Sequence, residues 1–225
     1  MTPQRIAVVG GHGQVARLLH PRLVAAGQQP VALVRRPEQA EAVRDLGAEP
    51  RMLDLEAQGV EEYARELEGC DAVVFAAGGG PDGDAARKRT VDLGASLRSQ
   101  EAARLAGIER FLQVSAIGVD DPLPDDTEEV WRAYVEAKRD ADAALRGTDL
   151  RWTVLRPGRL TDDPATGRVA LAPSEDRSVQ RGDVTRDDVA AAVVALLADD
   201  RAVHRTLDLV GGDVPLEEAL AALGA

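Results

Sequence analysis

The feature that most restricts what this chain can fold into lies near its start. An apolar run over 6–9 breaks into Gly10-Gly11-His12-Gly13-Gln14-Val15-Ala16 and continues as a helical pattern. In such a strand–turn–helix, Gly10 permits a sharp reversal and Gly13 lets the backbone approach a bound group. Ala16 stands where a third glycine commonly allows tight helix–strand packing. The first N–H groups of the helix have no carbonyl partners and, with the helix dipole, favour phosphate. The pattern predicts a pyrophosphate site built from Gly10, Gly11, His12, Gly13, Gln14 and Val15. His12 is read as a turn residue beside phosphate, since no partner for chemistry accompanies it.

Beyond the turn, short β-rich runs alternate with longer Ala/Leu segments. Strands are expected at 6–9, 31–34, 50–53, 72–76, 110–114, 152–155 and 207–210, and helices near 14–26, 37–46, 60–68, 84–106, 127–146 and 185–199. This β-α-β-α order predicts an α/β fold, a Rossmann-type doubly wound parallel sheet with helices on both faces. Gly27, Gly47, Gly69 and Gly107 follow helical runs, where a left-handed cap favours glycine. Thr185-Arg186-Asp187-Asp188 reads as a capping box, which gives Asp188 a structural role. With 225 residues the chain fits one domain, 1–157 forming the nucleotide-binding core and 158–225 a substrate-covering lobe with the last strand and helices. The loops 78–84 and 119–127 are long and polar, and 158–183 reads as irregular.

Composition excludes several classes. A net charge of −12 argues against nucleic acid, which calls for a basic stripe rather than the short cluster Arg87-Lys88-Arg89. One cysteine, Cys70, rules out an internal disulfide, and three scattered histidines (His12, His20, His204) give no metal-ligand spacing. Cys70 precedes an apolar run and is expected to be a buried thiol. No segment reaches the length of a membrane span, and the first apolar run enters the glycine turn too early for a secretory leader. A cytoplasmic protein, monomer or homodimer, acting on a small molecule is expected.

The second expected strand ends at Val34-Arg35-Arg36, where a site selective for NAD would place an acidic residue for the ribose hydroxyl. Two guanidiniums there suit a 2′-phosphate, so the expected cofactor is NADP(H). Asp54 and Leu55 close the third strand. Asp54 either meets the adenine amine or caps a helix. Ala76, Ala77 and Gly78 are small enough for ribose and nicotinamide to lie close to the backbone, and Pro157 and Gly158 end the sixth strand near the carboxamide position.

Tyr134 and Lys138 stand four residues apart in a helical run, one turn apart on one face. A neighbouring ammonium favours the phenolate, so Tyr134 is expected below its ordinary value of about 10 and able to pass a proton to or from a substrate oxygen. Lys138 could also hold the nicotinamide ribose, and Ser115, just past the fifth strand, could steady the same substrate oxygen. Trp131 and Trp152 are read as packing residues.

These segments, together with Val91-Asp92-Leu93-Gly94-Ala95, Phe111-Leu112-Gln113-Val114-Ser115 and Leu155-Arg156-Pro157-Gly158, resemble the short-chain dehydrogenase/reductase superfamily in its atypical, NAD(P)H-binding, sugar-epimerase-like branch. The resemblance covers nearly the whole chain. It implies a Rossmann fold with NADP(H), and it carries the superfamily's catalytic serine, tyrosine and lysine onto Ser115, Tyr134 and Lys138. The implied activity is an NADP(H)-dependent oxidoreductase or epimerase on a small carbonyl or hydroxyl compound. Two alternatives stay open: a non-enzymatic NADP(H) sensor, and a flavin or quinone reductase with no need of the tyrosine.

Overall fold

The computed structural model describes residues 3–80 and 84–224. Seven strands run parallel in one sheet: β1 (Arg5–Val9), β2 (Gln29–Val34), β3 (Glu49–Met52), β4 (Ala72–Phe75), β5 (Arg110–Val114), β6 (Arg151–Pro157) and β10 (Arg205–Gly211). Their spatial order, β10-β6-β5-β4-β1-β2-β3, changes direction between β1 and β4. At that switch point the loops at the carboxyl ends diverge and leave a crevice. Strands β1, β4 and β5 are buried on both faces, which is why they read as mostly apolar runs, whereas the edge strand β3 is not buried.

Helices α1 (Gln14–Ala25) and α7 (Arg186–Leu197) pack on one face, against Ile6, Val8, Leu112 and Leu155. On the other face lie α3 (Val60–Leu67), α5 (Ser96–Leu105) and α6 (Glu129–Arg146), against Val9, Val73, Phe75 and Phe111. Helix α2 (Pro37–Arg44) covers Ala32 and Val34 at the sheet's far end. Gly27, Gly47, Gly69 and Gly107 adopt left-handed φ at helix ends, as their positions predicted. Cys70 is buried, and burial pushes its thiol pKa up.

The helix before β5 departs from simple α geometry. A short α4 (Ala85–Arg87) runs into a π-helical stretch, Lys88–Ala95, before α5 continues. Such wide turns recur at functional sites. Residues 81–83 of the loop expected to line the cleft lie outside the described residues.

Between β6 and α7 the sequence reading needs correction. The stretch 158–183, expected to be irregular, holds β7 (Arg159–Thr161) and β8 (Arg168–Pro173), and β9 (Asp183–Thr185) closes it. Strands β7 and β9 pair parallel as a separate ribbon. Strand β8 runs antiparallel to β10 at the sheet edge, followed by the short β11 (Val214–Pro215) and α8 (Leu216–Ala221). Thr185 caps α7 as expected, its Oγ1 accepting from the Asp188 amide at 2.9 Å. The Asp188 carboxylate accepts from the Thr185 hydroxyl at 3.0 Å and also from the amides of Thr166 and Gly167 at 3.0 and 2.8 Å. It therefore fastens the β7–β8 loop to the helix start.

Candidate active site

The glycine turn is fixed by what it touches. Gly10 sits at φ +79°, and a Cβ there would come within 2.7 Å of the Ala77 Cα. A Cβ on Gly11 would fall 2.8 Å from the Ala32 Cβ, so Gly11 serves close packing on β2 and does not line the crevice. The Gly11 carbonyl accepts from the buried His20 ring at 2.7 Å, a brace that a lone histidine inside a helix did not announce. No side chain caps α1 and no acidic residue occupies its first turn, so its leading N–H groups are available to an anion.

A groove of about 250 Å³ runs from this turn over the ends of β1, β2 and β3, lined by Gly10, His12, Gly13, Arg35, Asp54 and Leu55. Ala76, Ala77 and Gly78 line it and also the next cavity. Burial, reinforced by Arg17 and Arg36, holds His12 below the ordinary histidine pKa. Arg35 borders the groove whereas Arg36 does not, although both are exposed. Oε1 of Gln39, a residue without any sequence signature, accepts from both their amides at 3.1 and 3.2 Å and braces the turn that carries Arg35. Asp54 caps no helix: its Oδ1 accepts from the amides of Glu56 and Ala57 at 2.9 and 3.3 Å in a turn ahead of α3, and the residue borders the groove. Gln14 borders neither space, and Val15 borders the second cavity. The glycine cradle, the uncapped helix start and the guanidinium at the groove fit a dinucleotide.

Beyond Gly78 the groove opens into a cavity of about 840 Å³ that brings together Ser115, Tyr134, Lys138, Pro157 and Gly158. Gly158 is required here, because a Cβ would lie 2.0 Å from the Gly182 carbonyl oxygen. Trp131, expected to be a packing residue, is instead half exposed on the cavity wall with its ring 5.2 Å from that of Tyr134. Trp152 does pack against the core.

The electrostatics of the site differ from expectation. Burial pushes the Tyr134 phenol above its ordinary pKa, Lys138 pulls against that, and Asp92 and Asp142 add to the rise. The ammonium alone does not bring the phenol toward neutrality. Lys138 Nζ is buried, donates to the Val114 carbonyl at 3.1 Å and lies 3.4 Å from Asp92 Oδ1. Burial works against its charge, but Asp92, Tyr134 and Asp142 together hold the ammonium above its usual value. Asp92 itself accepts from the Gly79 amide at 2.8 Å, tying the glycine loop to the π-helical stretch.

Ser115 does not stand free to donate into the cavity. Its hydroxyl donates to Asp142 Oδ2 at 2.8 Å. The same oxygen accepts from Arg156 Nε at 2.9 Å, and Asp142 Oδ1 accepts from Gln113 Nε2 at 2.6 Å. Gln113 Oε1 accepts from Ser96, whose own oxygen accepts from Gln100. Burial pushes the Asp142 carboxyl up, yet Arg156, Ser115 and Gln113 all oppose that shift by donating to it. Ser115, Gln113 and Arg156 all donate to Asp142, so Ser115 presents lone pairs to the cavity rather than a proton. Asp142 was invisible in the sequence because its neighbours Arg139 and Asp140 make the segment read as a solvated face.

Residues 10–200 match the family described as NAD(P)H-binding. The chain is 36% identical over 221 residues to the uncharacterized sugar epimerase YhfK of Bacillus subtilis, covering 96% of this chain and 98% of that protein. A solved structure of a candidate NAD-dependent epimerase/dehydratase from Bacillus halodurans superposes with a TM-score of 0.89 at 34% identity, covering 97% of this chain and 99% of that one. The oxidoreductase ylbE from Lactococcus lactis gives 0.84 at 26% identity, covering 97% and 96%.

Proposed function

From its place in the NAD(P)H-binding family, to which this chain belongs, we propose an NADP(H)-dependent oxidoreductase or epimerase acting on a small carbonyl or hydroxyl compound. The observation that carries the reading is the continuity of two spaces. The dinucleotide groove opens at Ala76–Gly78 into the cavity holding Tyr134, Lys138 and Ser115. Bound there, NADP(H) would supply or accept a hydride. Gly10 and Gly13 with the start of α1 would hold its pyrophosphate, Arg35 the 2′-phosphate, and Pro157 and Gly158 would border the nicotinamide.

Tyr134 is the proton carrier at the substrate oxygen. Since burial raises its pKa, it enters the reaction as the neutral phenol, a donor suited to carbonyl reduction. Lys138 stabilises the phenolate left after transfer, as its position one helical turn away allows. Ser115 orients by accepting a hydrogen bond from a substrate hydroxyl, because its own hydrogen is committed to Asp142. The reading further takes residues 158–225 as the part that shapes the substrate space, and a cytoplasmic monomer or homodimer as the working form.

A second reading draws on Trp131. An exposed indole beside Tyr134 offers a flat surface for a flavin or quinone, which could take a hydride without a proton from Tyr134.

Two measurements test these roles. NADPH at one hundred times its dissociation constant should stabilise the fold by about 2.7 kcal/mol, with NADH far weaker at the same concentration. Equal stabilisation by both dinucleotides would remove the role given to Arg35. Tyr134→Phe should lower kcat at least about a hundredfold for a carbonyl substrate. Undiminished turnover would favour the flavin or quinone reading, and cofactor binding without turnover of any compound would favour a sensor.

A further inference from the structure

The cavity next to Tyr134 contains one buried cation that the proposed proton relay does not use. Lys88, the first residue of the π-helical stretch, is 7% exposed and lines the same cavity. Its Nζ lies 5.5 Å from the centre of the Tyr134 ring and donates to the Gly80 carbonyl at 2.5 Å.

Among the described residues, charge pairing in the cavity leaves this group over. Lys138 faces Asp92 at 3.4 Å, and Arg156 faces Asp142 at 2.9 Å behind Ser115. At the mouth, Arg159 pairs with Asp183 and Arg181 with Asp121. Among the described residues no carboxylate lies within ion-pair distance of Lys88 Nζ. A backbone carbonyl and an aromatic face compensate a buried ammonium only in part, and two of its three hydrogens remain to be satisfied.

We propose that Lys88 is a specificity-determining residue that binds an anionic group of the substrate, so that the cavity selects carbonyl compounds carrying a carboxylate close to the carbonyl. The assignment deepens the oxidoreductase reading and rests on it for the chemistry alone. The hydride would come from NADPH to the carbonyl carbon and the proton from Tyr134 to its oxygen, giving the hydroxy acid. Lys88 Nζ stands 5.5 Å from the centre of the Tyr134 ring, so one small molecule could place its carboxylate on the ammonium and its carbonyl at the phenol. Trp131 and Ile117, from the same cavity wall, would take the apolar remainder.

The test separates binding from turnover. Phenylglyoxylate and its methyl ester share the ketone and the ring but differ in charge. Each is titrated calorimetrically into the protein saturated with NADP⁺, where no hydride can pass. The wild type should bind the anion between about tenfold and a hundredfold more tightly than the ester, the range of a charge-assisted hydrogen bond. Lys88→Met should bring the two to parity, and Lys88→Arg should restore most of the preference. NADPH affinity should be unchanged in both variants. Equal binding of acid and ester by the wild type, or no binding of either, overturns the proposal. So does a preference that survives in Lys88→Met. A loss confined to NADPH affinity would move the anion onto the cofactor and also overturn it. Full activity of Tyr134→Phe would sink the proton relay while leaving the selection by Lys88 intact.

Discussion

Asparagine has the shape of aspartate, yet at position 142 it cannot replace it. Three donors converge on the Asp142 carboxylate: Gln113 Nε2 on Oδ1 at 2.6 Å, with Ser115 Oγ and Arg156 Nε on Oδ2 at 2.8 and 2.9 Å. In Asp142→Asn one of these oxygens becomes an NH₂. If it faces Gln113, two amide donors oppose each other, and Gln113 cannot turn over without losing Ser96. If it faces the other side, it meets the Arg156 guanidinium. Either way a buried donor is orphaned, at about 1–3 kcal/mol. The charge facing Arg156 also disappears. Arg156 keeps Asp120 at 2.7 Å, a half-exposed partner that compensates weakly. Breaking one side of a buried ion pair costs about 3–5 kcal/mol, so the expected loss is at least about 3 kcal/mol. Followed by far-ultraviolet dichroism in urea, a slope near 3 kcal/mol/M turns that loss into a midpoint lower by about 1 M, with the slope unchanged. A midpoint within about 0.3 M of wild type would mean that the donors do not converge on an ionised group, and the assignment of Ser115 as an acceptor would go with it.

Two further substitutions probe the nucleotide end. Gly10→Ala combines a left-handed φ of +79° with a 2.7 Å approach to backbone at Ala77, so NADPH binding followed by fluorescence should be lost and the melting temperature should fall by several degrees; unaltered affinity would contradict the cradle. Burial keeps His20 below the ordinary histidine value of 6.5, so in acid the unfolded chain binds protons that the folded one refuses. Its contribution to stability is therefore complete above about pH 6.5 and declines as pH falls toward the folded pKa. His20→Asn should flatten the loss of stability between pH 7 and pH 5, and a slope the same as wild type would exclude His20 as its source.

The parallel core was legible because burial on both faces removes the need for polar residues, leaving runs such as Ala72–Phe75 plain in the sequence. Strand β8 was harder to read. It lies at an edge, and only Val169 and Leu171 of its six residues are buried, a period-two signal too short to stand out from a polar loop. Arg35 could be placed by counting from the end of β2, yet its aim depends on Gln39, a residue with no signature. Tyr134 and Lys138 share a helix, so their spacing alone put them together. Asp92 and Lys88 meet them only through tertiary packing, whereas Asp142 sits one turn beyond Lys138 on the same helix; charges on a helix read as solvent-facing until a partner surface is known. The expected fall of the Tyr134 pKa went wrong for the same reason. Sequence supplied the neighbouring cation and gave no measure of the burial opposing it.

The wide-turned stretch Lys88–Ala95 works as a counting device. A helix of this kind carries more residues than an α-helix of the same length, so taking out one residue would let the stretch rewind toward α geometry. Each residue removed from a regular α-helix would swing one flank by about 100°, but a wide turn takes up the extra residue, so the segments on either side would stay in phase after the deletion. Only the turn itself would change, and it is the turn that sets Lys88 and Asp92 beside the cavity. The substrate space could thus be reshaped by a change in residue number inside one turn, with both ends of the helix left in place.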